Sequence, residues 1–84
     1  MIYHLNQTPN GYELTSGKEK YLMLLSKRPN TPTPYYLRQI EPQSNYISGL
    51  FYNKKKQEYK GKDINNNRII VRLGISTAEL LILY

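Results

Sequence analysis

The sequence predicts a β-rich α+β domain: a small twisted antiparallel sheet or partly open barrel of four or five strands, with one or two short helices. Three observations carry this expectation. RIIVRL (68–73) sets Ile69, Val71 and Leu73 on one side of a strand and Arg68, Ile70 and Arg72 on the other. YYLRQIE (35–41) and NYISGLFYN (45–53) are dense in residues that suit a pleated, half-buried surface. Two stretches carry the serine-to-glutamate spacing of a helix start: Ser16 with Glu19, and Ser76 with Glu79.

Taken in order, an early hairpin or helix precedes the sheet. KEKYLMLLSKR (18–28) fits a strand or a helix, with helix favoured because Leu, Met and Lys suit one and Tyr21, Leu24, Leu25 and Arg28 would form a single stripe. Gly17 weakens its first turn and Pro29 ends it. PNTPTP (29–34) holds three prolines and cannot join a ladder, which favours extended, polyproline-like chain. YYLRQIE follows as a strand. In NYISGLFYN, strict alternation puts Ile47, Gly49 and Phe51 on one face and Tyr46, Ser48, Leu50 and Tyr52 on the other. NKKKQ (53–57) is then a hairpin loop and QEYKGK (57–62) the return strand. GKDINNN (61–67) is a turn, since Gly and Asn tolerate left-handed backbone. TAELLILY (77–84) fits a helix and a buried strand equally well, since its LLILY part is short and apolar on every side.

The chain has 84 residues and reads as one small domain, residues 1–84. A domain of this size buries only ~60–65% of the surface its unfolded chain exposes, so its stability is thin. A dimer through the apolar LLILY segment and the tyrosines would add to it. There are no cysteines, which excludes disulfides and thiolate metal sites. No N-terminal run has the order of a signal peptide, and the longest apolar stretch falls far short of the ~20 residues that cross a bilayer as a helix. The expectation is a soluble, cytoplasmic protein without a membrane partner.

The formal net charge is +6 and is concentrated in two places. Residues 17–28 contribute Lys18, Lys20, Lys27 and Arg28 against Glu19. Residues 46–63 contribute Lys54, Lys55, Lys56, Lys60 and Lys62 against Glu58 and Asp63. Such a domain favours polyanions or acidic protein surfaces. The second cluster is interleaved with tyrosine. Lysines neutralise phosphates and release counterions, and aromatic rings offer faces on which unstacked bases lie. The candidate nucleic-acid contacts are therefore Lys54, Lys55, Lys56, Lys60, Lys62, Arg68 and Arg72, with Tyr52 and Tyr59 as stacking partners. The plain alternative is a solvated hairpin whose lysines discourage edge-to-edge pairing of sheets.

Catalytic chemistry finds little support. His4 is the one histidine and reads as a surface residue, so no metal constellation and no cofactor is expected. Gly49, Gly61 and Gly74 are isolated and make no phosphate loop. The leading expectation is a non-enzymatic basic module contacting nucleic-acid backbone, DNA or RNA. A second is a small regulator or inhibitor, of the kind phages and plasmids encode, docking on an acidic surface of a larger protein. A third is a histidine-poor ribonuclease toxin that would use Arg68, Arg72, Tyr52 and Tyr59 from one sheet face.

Overall fold

The computed structural model describes residues 2–17 and 21–83. These residues form eight strands: β1 (Ile2–Thr8), β2 (Gly11–Ser16), β3 (Tyr21–Lys27), β4 (Tyr35–Glu41), β5 (Asn45–Asn53), β6 (Glu58–Lys62), β7 (Arg68–Leu73) and β8 (Thr77–Leu83). Each pairs antiparallel with its sequence neighbours, and β1 returns to β8 to close a barrel. The architecture is all-β, which overturns the expected α+β fold with four or five strands and short helices. Among the described residues there is no helix.

The helix favoured for residues 21–28 is overturned, and the even split over 77–84 resolves as the strand Thr77–Leu83, for one physical reason. Residues 21–25 and 80–83 are apolar at every position, so helical and strand periodicities read alike. Pairing decides between them. β3 lies between β2 and β4, with Leu14 opposite Met23 and Leu25 opposite Leu37. Met23 and Leu25 are buried inside, while Leu22 and Leu24 face out and are half-buried. β8 likewise pairs along β7, with Val71 opposite Leu80 and Leu73 opposite Ala78. Glu79 caps no helix; it accepts a hydrogen bond from Arg72 across the ladder. Lys18, Glu19 and Lys20 lie outside the described residues.

The interior is filled by side chains, as an eight-strand barrel requires. Leu14, Leu25, Leu37, Leu50, Ile69 and Val71 are closed from solvent and form its centre. Each such side chain contributes about 1.5–3 kcal/mol by leaving water. Where β5 meets β6 the inner layer is small. A side chain at Gly61 would strike Ser48, Leu50 and the Gly49 carbonyl. The buried Ser48 hydroxyl donates to the Lys62 carbonyl at 2.8 Å.

Two bulges steer the outer face. One lies between Leu22 and Met23 on the β3–β4 ladder, the other between Leu37 and Arg38 on the β4–β5 ladder. The second makes Ile47 the extra residue: Leu37 faces Ser48, but Arg38 faces Tyr46. Ile47 packs against the core and Tyr46 turns outward. The face assignment read from strict alternation is corrected here: Tyr46 does not share a face with Ser48, Leu50 and Tyr52.

The punctuating segments behave as turns. After β3, residues 28–34 fold back, with the Arg28 amide donating to the Pro34 carbonyl at 2.9 Å and Asn30 in left-handed backbone. After β6, Asp63 accepts hydrogen bonds from the Asn65 and Asn67 amides at 2.9 Å each.

Candidate functional site

The outer faces of β5, β6, β7 and β8 present three rows of side chains, set by the ladder registers. The first runs Gly49, Lys62, Arg68, Leu83; the second Phe51, Lys60, Ile70, Leu81; the third Asn53, Glu58, Arg72, Glu79. The alternation that buries Leu50, Tyr59 and Ile69 puts these residues outside.

The third row is electrically closed. Glu58 is 3% exposed and accepts from Arg72 Nε at 2.8 Å, with Lys60 Nζ at 3.2 Å. Arg72 also reaches Glu79 at 3.3 Å. The hydrogen bond from Arg72 leads the effects that hold the Glu58 carboxyl below the ordinary range, with burial opposing it and Lys60 adding to it.

The first row is open. Lys62 stands directly opposite Arg68, and among the described residues neither meets a carboxylate. Arg28 extends this row over β5. Its guanidinium lies above Gly49, where a Cβ would collide with both Arg28 and Thr33. Arg28 donates to the Thr33 carbonyl at 3.0 Å, to the Thr33 hydroxyl, and to the Tyr46 hydroxyl at 2.9 Å. Its cation also stands 5.5 Å from the ring centres of Tyr36 and Tyr46. The strap at 28–34 thus fixes one arginine in place. Arg28, Lys60, Lys62 and Arg68, with Tyr46 and Phe51, line one shallow groove floored by Gly49 and Gly61.

The sequence-derived candidates separate on this surface. Lys60, Lys62 and Arg68 meet in the groove. Lys54 and Lys55 border an adjoining depression with Phe51 and Tyr52, on a turn whose Lys55 amide bonds the Asn53 side chain at 3.0 Å. Lys56 is exposed on the same turn; β6 begins at Glu58, so Lys56 does not continue the row of Lys60 and Lys62. Arg72 is committed to Glu58 and Glu79.

Of the two tyrosines, Tyr59 faces the interior, whereas Tyr52 is 40% exposed beside it. Tyr59 is 9% exposed, with Tyr35 at 5.0 Å and Tyr52 at 4.8 Å between ring centres. Burial, with Tyr12, Tyr35 and Tyr52 beside it, pushes the Tyr59 hydroxyl up to about 12. Tyr59 is therefore a packing residue, and Tyr52 leans on it at the barrel end. The grouping of Arg68, Arg72, Tyr52 and Tyr59 on one face does not form, since both arginines stand in the outer rows while Tyr59 lies in the core. His4 is exposed on β1.

Sequence reasoning missed Arg28, Gly49 and Phe51 as site residues, and set Tyr46 on the wrong face of its strand. A glycine within a strand of strong β-formers signals a close approach, which here is Arg28. Phe51 follows a buried leucine and must point outward. For Arg28 and Tyr46 the necessary fact, a strap folded over a bulged strand, has no local signature. Comparison with protein-family models, with curated proteins and with solved structures found no match to this chain.

Proposed function

We propose that this protein is a basic binding module that holds nucleic-acid backbone in the groove of Arg28, Lys60, Lys62 and Arg68. The observation that carries this reading is the open first row. Like charges directly opposite on adjacent strands destabilise a sheet. Lys62 and Arg68 stand in that relation with no carboxylate between them among the described residues, and Arg28 is held in line with them. On the same strands, Glu58 and Arg72 show how the pair would look if neutralised. A chain of phosphates crossing β5, β6 and β7 would supply the missing negative charge. The three cations span about 10 Å at a strand spacing of about 4.8 Å, enough for two or three phosphates. Lys60, already engaged by Glu58, adds a partly satisfied fourth.

The test is fluorescence anisotropy with labelled oligonucleotides between 50 and 200 mM salt. Three phosphate contacts predict a log–log slope of about −2 for single strands and about −2.7 for duplex. Affinity for neither form at 50 mM salt overturns the reading and directs the search to acidic proteins by pull-down.

A further inference from the structure

Beside the cationic row lies the chain's one phenylalanine. Phe51 is on the outer face and 54% exposed. A lone exposed apolar residue is ordinary; its setting here is not. Arg28, Lys60, Lys62 and Arg68 line the same groove, and Lys60 stands directly opposite it on β6. The other aromatics nearby are engaged. Tyr46 accepts a hydrogen bond from Arg28 and stacks on Tyr36 at 6.3 Å and 20°. Tyr52 leans on Tyr59. Among the described residues, Phe51 has no ring partner.

Resting on the reading of the groove as a backbone site, we propose that its ligand is single-stranded nucleic acid, with one base stacked on Phe51 while the phosphates follow Arg28, Lys62 and Arg68. The geometry selects the single strand. Gly49 and Phe51 are two residues apart on one strand face, about 6.7 Å. A base can bridge that offset from its own phosphate when it is turned out of a stack. In a duplex both faces of every internal base are covered by neighbours, so Phe51 would meet only sugar and groove edges. Phenylalanine offers a ring face without a hydroxyl to direct, which suits binding indifferent to base identity.

The experiment measures anisotropy of labelled oligo-dT and oligo-U twelve-mers, an abasic twelve-mer and a twelve-base-pair duplex. The protein is wild type, Phe51→Ala and Phe51→Tyr. Base stacking on an aromatic predicts that Phe51→Ala binds the single strands roughly tenfold more weakly, with Phe51→Tyr close to wild type. Duplex binding and the salt slope should stay unchanged. The abasic strand, with the same phosphates, should bind wild type about tenfold more weakly than oligo-dT. That comparison decides the matter even if Phe51→Ala fails to fold. Equal binding of abasic and normal strands overturns the stacking role and leaves the backbone reading standing. Binding of none of the probes overturns both.

Discussion

Arg68 and Arg72 lie on one strand, on one face, with the same charge, and their surroundings are opposite. Arg72 is held between Glu58 and Glu79; Arg68 faces Lys62 and meets no carboxylate among the described residues. The first arrangement stabilises a sheet. The second costs stability unless something anionic arrives. Net charge, identical for the two, says nothing about which arginine is available. Cross-strand register does, because it decides whether a cation's neighbour is an acid or another base.

Single-charge variants sharpen this contrast. Arg68→Gln should remove one phosphate contact, reducing the salt slope by about 0.7 and single-strand affinity roughly eightfold at 50 mM salt. Lys55→Gln, on the turn, removes an equal charge beside the groove and should cost about two- to threefold by long-range attraction alone. Arg72→Gln should change binding less than twofold, while lowering the thermal midpoint, because it strips the chief partner from a buried carboxylate. Anisotropy titrations and melting curves on the three variants check the order. Equal losses in all three would mean that only net charge matters.

Acid should loosen the closed row. Glu58 sits below its ordinary value near 4.5 in the folded chain, chiefly because Arg72 donates to it. A carboxyl lowered by folding stabilises the fold fully above the unfolded value and loses that contribution as pH falls through the folded one. Melting midpoints from pH 7 down to pH 3 should therefore drop less for Glu58→Gln than for the wild type, whose starting midpoint is higher. Parallel curves would show that the Arg72–Glu58 pair adds nothing net.

Much of the sheet was legible where one face is polar. β4, β5 and β7 carry the bounds read from their residues, and the 54–57 turn falls where NKKKQ placed it. β7 shows why: Arg68 and Arg72 mark an outside that Ile69 and Val71 cannot occupy. β3 and β8 stayed ambiguous between helix and strand because residues 21–25 and 80–83 are apolar at every position and mark no outside. β1 and β2, mixed and short of strong β-formers, declare themselves only through pairing, with Leu5 opposite Leu14. For the site, Lys60, Lys62 and Arg68 could be read because alternation alone aligns them. Tyr59 was misread because a tyrosine among lysines looks solvent-facing until Leu50 and Ile69 define the inside. Arg28 required a tertiary contact across the strap.

Among the described residues, the ring is closed by its shortest ladder, in which β1 meets β8 through Ile2–Glu79, Tyr3–Ala78 and His4–Thr77, joining strands that are not sequence neighbours. All the others are hairpins with short closure loops, which organise early, whereas the seam must gather nearly the whole chain into one loop. Ring closure should then come late in folding and be undone early. The cationic groove stands on β5, β6 and β7 under the 28–34 strap, and none of these strands takes part in the seam ladder. Amide exchange at Tyr3 and Ala78 should consequently run ahead of exchange at Leu50 and Ile69, and a barrel breathing at its seam would keep its charged face assembled throughout.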